Sequence, residues 1–152
     1  MRRYIEVPFQ LLTIEDEGFH VMVKGKINDM EANFLIDTGA SQSIFSLTAI
    51  NTLIGENALE RKPGITAGVG SDNLESFLCT LDKLSIGDIH LDRYDTVAID
   101  LSSIHENYAK LGLPTIDGII GGDLLVKLKA SINYRLRKIR LTPPRSVSTK
   151  SK

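Results

Sequence analysis

The chain has 152 residues, 42% of them hydrophobic and 24% charged, with a formal net charge of −1. That length can bury one substantial core, and the balanced charge excludes a surface drawn as a whole to nucleic acid or anionic membrane. No run of about eighteen apolar residues occurs, so no membrane-spanning helix is predicted.

In chain order, strand-like patterning dominates the first forty residues. No sustained apolar stretch follows Met1-Arg2-Arg3, so a secretory leader is not expected. His20 to Ile27 is rich in apolar and β-branched residues, and Asn28-Asp29 suits a tight turn. Glu31 to Ile36 alternates at first and becomes wholly apolar, which implies burial on both faces. Asp37 therefore stands where a buried strand runs into a glycine-containing loop. Leu47 to Leu59 reads as a short helix interrupted at Gly55 and ended by Pro63-Gly64. Ile65 to Asn73 reads as a hairpin with a glycine-rich tip. Phe77–Leu84, Ile86–Ile89 and Val97–Ile99 are further expected strands, with Gly87-Asp88 as a hairpin turn.

Ile104 to Leu111 is an expected short helix, and Gly118 to Gly122 a buried strand ending in glycines. Asp123 can cap a helix through Leu128. Ile132 to Leu141 is expected to be one last strand, stopped by Pro143-Pro144. The sum is a mostly-β single domain over residues 1–142, with a basic, disordered tail at 143–152. From Arg135 to Lys152 there are seven basic residues and no acidic one, a pattern typical of a solvated end. Cys79 is the only cysteine; no intrachain disulfide can form, which suits a reducing compartment and an expected cytoplasmic location.

The sharpest chemical signal is Phe34-Leu35-Ile36-Asp37-Thr38-Gly39-Ala40-Ser41. Asp-Thr-Gly alone is weak, since it arises by chance in about a few per cent of chains of this size. Here an apolar strand precedes it, and Ile119-Ile120-Gly121 with a short amphipathic helix follows later. Gly68-Val69-Gly70 falls between them. Together these residues resemble the retropepsin-like aspartic proteases, the single-lobe, retroviral-type family. The resemblance spans Val21 to Leu141 and implies a pepsin-lobe, closed β-barrel-type domain with a flap hairpin and short helices.

Amide hydrolysis without metal or covalent intermediate needs a base to activate water and an acid to protonate the developing oxyanion. Two carboxylates sharing one proton supply both, because like charges held close cannot both ionise. With one Asp-Thr-Gly, the second carboxylate must come from another copy, so the resemblance implies a homodimer with Asp37 beside its twin. It implies further that Thr38 locks the two loops together and that Gly39 admits close backbone approach. Ala40 and Ser41 would border the substrate, Ile119 would line a side-chain pocket, and Gly121 would let the second strand pack beneath the loop. Gly68, Val69 and Gly70 would form the flap tip over an extended peptide or unfolded protein substrate. No metal or organic cofactor is implied, and neither nucleic acid nor membrane is an expected partner.

Two departures stand out. Retroviral members commonly have Asp after Asp-Thr-Gly-Ala and Arg after the later Gly, as an ion pair; this chain has Ser41 and Gly122 there, so both partners are missing together. Pepsin-like lobes usually place a hydroxyl where Ala40 stands, which stabilises the ionised carboxylate. Its loss leads us to expect a mildly acidic to near-neutral optimum. The alternative reading is a catalytically weak or inactive peptide-binding and dimerisation module of the same fold.

Other residues have plainer readings. Asp123 is expected as a helix cap. His20, His90 and His105 lack metal-like spacing and are expected at the surface or at strand ends. Ser41 and Ser43 have no histidine placed to activate them. Cys79 is expected to fill core. Gly68-Val69-Gly70 fits no nucleotide-binding fingerprint.

Overall fold

A computed structural model describes residues 3–13, 18–54, 59–62 and 76–144. Its elements in order are β1 (Ile5–Pro8), β2 (Gln10–Thr13), β3 (Phe19–Ile27), β4 (Met30–Ile36), β5 (Ile44–Ser46), α1 (Leu47–Ile54), β6 (Leu59–Lys62), β7 (Ser76–Ile86), β8 (Ile89–Ile99), α2 (Ser102–Lys110), β9 (Gly118–Ile120), α3 (Gly122–Lys127), β10 (Ser131–Asn133) and β11 (Lys138–Leu141). Strand dominates, as the patterning predicts.

The turn between β3 and β4 shows how local sequence fixes register. Asn28 and Asp29 both take positive φ, 50° and 69°, the conformation of a turn whose twist matches a hairpin. Asn28 also exchanges two hydrogen bonds with β7. Its N–H donates to the Lys83 carbonyl (2.8 Å), and its side-chain oxygen accepts from the Lys83 N–H (2.9 Å). From this turn β3 and β4 pair antiparallel from Ile27↔Met30 to Val21↔Ile36.

Eight strands hydrogen-bond in the order β2-β3-β4-β9-β5-β8-β7-β6. A further pairing of β3 with β7, at Gly25↔Ile86 to Ile27↔Leu84, brings the run round upon itself. Inside lie Ile27, Phe34, Phe45, Leu81, Leu84, Ile120 and Leu124, all nearly or fully buried, with Phe34 and Phe45 edge to face at 5.9 Å. A second sheet, β1-β11-β10, joins the two ends of the described chain.

Two of the expected elements differ in the structure. The helix after Leu47 stops at Ile54, and Leu59 belongs to β6, which pairs with β7 from Leu59↔Cys79 to Lys62↔Ser76. Gly55 and the hairpin expected over 65–73 lie outside the described residues. The single last strand from Ile132 to Leu141 is a hairpin of β10 and β11. It turns because Asn133 accepts the Leu136 N–H on its side chain (2.9 Å) and Arg137 takes φ +57°. The expected tail lies mostly outside the described residues.

Two measurements test these contacts. A Cβ at Gly25 would strike the Ser85 carbonyl and come within 2.6 Å of the Phe34 ring. Gly25→Ala is therefore expected to destabilise by about 1–3 kcal/mol in urea unfolding. Burial raises the carboxyl pKa of Asp117 above its ordinary value, against an opposing bond from the Asn33 N–H. The folded chain thus holds this proton to higher pH than the unfolded chain. Its contribution to stability falls as pH rises from the ordinary value of 3.8 through the raised one. Asp117→Asn keeps an acceptor for Asn33 and removes that slope, so the variant should gain on wild type as pH rises from 4 towards 7.

Candidate active site

β9 lies between β4, which it pairs in parallel, and β5, which it pairs antiparallel. The chain that crosses from β4 to β5, residues 37–43, therefore loops around the end of β9. Four consecutive residues after Ile119 hold that loop. The Ile120 carbonyl accepts the Asp37 N–H (2.9 Å), the Gly121 N–H donates to Ser43 Oγ (2.8 Å), the Gly122 N–H donates to the Ala40 carbonyl (2.7 Å), and the Asp123 N–H to the Ser41 carbonyl (3.2 Å). Gly121 is required by close approach: a Cβ there would sit 2.7 Å from the Ala40 carbonyl oxygen and 2.9 Å from that of Gln42.

Asp37, Thr38 and Gly39 are exposed at the surface of the single chain. The Asp37 carboxylate accepts the Gly39 N–H at 3.0 Å, and the Asp37 carbonyl accepts the Ala40 N–H at 3.1 Å. The loop is thus fixed by its backbone, while the carboxylate is left open to solvent. Ala40 is half-buried and Ser41 exposed. Ile119 is half-buried on β9, opposite Leu35 and Ile44, and packs against the apolar clusters on both sides. Gly68, Val69 and Gly70 lie outside the described residues.

Asp123 differs from its expected role. The N-cap of α3 is Gly121, and Asp123 sits in the first turn. One carboxylate oxygen accepts the Leu124 N–H (2.7 Å), the Ser43 N–H (3.0 Å) and the Ser43 hydroxyl (2.7 Å). Ser43, only 3% exposed, thus donates to Asp123 and accepts from Gly121, tying the helix start to the end of the 37–43 loop. Tyr94 stands beside this pair; burial first, and the Asp123 charge second, push its hydroxyl up to about 12, so it stays neutral. Sequence reasoning missed this link because the partners are eighty positions apart. Its one trace is a serine set directly before the apolar Ile44-Phe45.

The remaining candidates sit in plainer surroundings. Cys79 is buried, and burial followed by the Asp95 charge raises its thiol to about 11, far from the range of a nucleophile. His90 is exposed and bonded to Ser85 Oγ at 2.8 Å. His20 is half-buried on β3. His105 departs from its expected place, being half-buried on α2 with Nε2 2.6 Å from the Ile116 carbonyl oxygen. No helix among the described residues is long and apolar enough to cross a membrane.

The family model described as aspartyl protease matches residues 23–124, two thirds of the chain with Asp37 and the whole β9 clamp inside it. The chain belongs to this aspartyl protease family. Its fold is shared with solved retropepsin-like structures. A retropepsin-like aspartic protease from Rickettsia conorii aligns over 92% of this chain and 89% of its own, at 17% identity and TM-score 0.55. The retroviral protease-like domain of Ddi1 from Leishmania major aligns over 82% and 92%, at 17% identity and TM-score 0.55. The EIAV protease, solved with the inhibitor HBY-793, aligns over 80% and 99%, at 25% identity and TM-score 0.54. Comparison with curated proteins gives no match.

Ser43→Ala leaves the buried Gly121 N–H without its acceptor and removes a donor from Asp123. It is expected to destabilise by about 1–3 kcal/mol in thermal or urea unfolding. Asp123→Asn, which keeps an accepting oxygen, should cost clearly less.

Proposed function

We propose that this chain is an aspartic endopeptidase whose active site is shared between two copies. The observation that carries the proposal is the exposed Asp37-Thr38-Gly39 loop, clamped by backbone bonds to residues 120–123. A rigid loop presenting one carboxylate outward suits a site completed across a two-fold axis. Family membership supports protease chemistry, and the solved relatives support the fold.

In the proposed cycle a water sits between the Asp37 carboxylate and its twin. The ionised carboxylate takes a proton from the water as its oxygen bonds to the scissile carbonyl carbon. The protonated carboxyl gives its proton to the carbonyl oxygen, forming a neutral gem-diol. Proton transfer to the amide nitrogen, with return of a diol proton to a carboxylate, then breaks the C–N bond. The twins exchange acid and base roles through the cycle. Thr38 would bond across the axis, and Ala40, Ser41 and Ile119 would contact an extended peptide. Residues 63–75 join the paired strands β6 and β7; Gly68, Val69 and Gly70 there would close over the substrate. The lone thiol suits a reducing compartment, and the cytoplasm is the proposed location.

The test is cleavage of an unfolded protein such as casein between about pH 4 and 7.5, with sedimentation of the same samples. Wild type should cleave as a dimer, with its optimum at mildly acidic to near-neutral pH. Asp37→Asn should remain dimeric and lose activity by about 10²–10⁴-fold. A dimer inert across that range would favour the peptide-binding module, and a monomer that cleaves would sink the shared site.

A further inference from the structure

The formal net charge of −1 hides a sharp division along the chain. All nineteen acidic residues lie at or before Asp123, whereas nine of the eighteen basic ones follow it. The fold gathers much of that basic excess on one face. In the β1-β11-β10 sheet, Arg140 pairs with Glu6 on one side and Ser131 on the other, and Lys138 pairs with Pro8 and Asn133. These six residues are all exposed, while Val7, Ile139 and Leu141 at the alternate positions are buried. Side chains alternate across a strand, so the six share the outer face. Glu6 is the one carboxylate of the three strands, 4.0 Å from Lys138 and 3.3 Å from Arg140.

More cations border the face at both ends. Arg135 and Arg137 lie in the turn between β10 and β11. Lys127 ends α3 and Lys129 stands two residues before Ser131. The Leu128 carbonyl between them accepts the Thr142 N–H at 2.7 Å, beside the far end of β11. All four are exposed, so six cations stand against one carboxylate. Single surface ion pairs are weak, but an excess of one sign sets up a field that reaches about 8–10 Å at physiological salt. Aliphatic side chains stand among the cations. Val126 next to Lys127, and Leu136 between Arg135 and Arg137, are 78% and 59% exposed. Apolar groups flanked by cations suit the boundary between lipid headgroups and acyl chains. For stacking on nucleic-acid bases the face is poorly equipped. The outward positions of its paired strands hold no aromatic ring. At its border Tyr4 lies under the Arg140 guanidinium, 3.9 Å to the ring centroid, and Tyr134 meets Phe9 edge to face at 5.8 Å.

We propose that this cationic face is a docking surface for anionic phospholipid, on which the chain rests without crossing the bilayer. Lys138 and Arg140 meet the phosphates from the sheet, the other four cations meet them from its two ends, and Leu136 enters beneath the headgroups. The balanced net charge excludes attraction by the surface as a whole, but one face escapes that exclusion. The chain up to Asp123, with nineteen acidic and nine basic residues, is repelled by the same lipid. The molecule therefore approaches in one orientation. One chain carries the whole face, so docking does not depend on the shared carboxylate site.

The deciding measurement is cosedimentation of the full chain with vesicles of phosphatidylcholine alone and of phosphatidylcholine mixed with phosphatidylglycerol, at low and high sodium chloride. Wild type should bind the mixed vesicles and not the neutral ones, and rising salt should release it. Neutralising three exposed cations together, Lys127→Gln, Arg135→Gln and Lys138→Gln, should weaken binding by about 100-fold. Glu6→Gln removes the one opposing charge and should tighten it by about 5-fold, a gain that a damaged fold would not give. Leu136→Ser should weaken it by about 3- to 10-fold. Equal binding to neutral vesicles, no binding at low salt, or binding that ignores both the triple neutralisation and Glu6→Gln would overturn the proposal. A chain that passes over the vesicles but retains a labelled single-stranded DNA or polyglutamate would assign the face to another polyanion, and overturn it too.

Discussion

The architecture of the site depends on one insertion: a three-residue strand, β9, held between β4 and β5. Because β9 fills that slot, the chain from β4 to β5 has to bend around its end, and the bend is the Asp-Thr-Gly loop. Ile120, Gly121, Gly122 and Asp123 then each give one backbone group to that loop or to Ser43. The position of the Asp37 carboxylate is set by strand packing and main-chain bonds, with only the Gly39 N–H touching its oxygens among the described hydrogen bonds. Such a design fixes where the carboxylate stands while leaving its oxygens open to solvent, as the proposed shared site requires.

Beneath the loop, buried polar groups are matched rather than avoided. The Ser43 hydroxyl donates once and accepts once, so Gly121 and Asp123 are both served by a side chain with almost no solvent contact. Two glycines play the complementary part, admitting backbone or ring where a methyl would collide: Gly121 against the Ala40 and Gln42 carbonyls, Gly25 against Phe34. Polar satisfaction and steric clearance thus reinforce each other around one short strand.

Much of this was legible in the sequence, because strand periodicity, turn chemistry and glycine placement act locally. Asn28-Asp29 and Gly87-Asp88 gave their turns, the apolar run into Asp37 gave a buried strand end, and Gly118 to Gly121 gave the second one. What periodicity does not encode is which strands become neighbours. The parallel pairing of Phe34–Ile36 with Gly118–Ile120 and the antiparallel pairing of β1 with β11 both join distant segments. The Ser43–Asp123 bond is invisible for the same reason. The split of the last strand into β10 and β11 was missed for another: Tyr134-Arg135-Leu136-Arg137 contains none of the residues that usually mark a turn, and Asn133 alone carries the signal.

The placement of β9 also bears on how the molecule comes to be made. Its partners β4 and β5 are complete by Ser46, yet β9 begins only at Gly118, so the slot between them stays empty until that later segment is made. Contacts of such long sequence separation form late, after the local hairpins β3–β4 and β7–β8. A nascent chain would therefore hold its Asp-Thr-Gly segment as unanchored loop until β9 has emerged. The proposed hydrolytic competence would thus depend on a segment made long after the Asp-Thr-Gly loop itself.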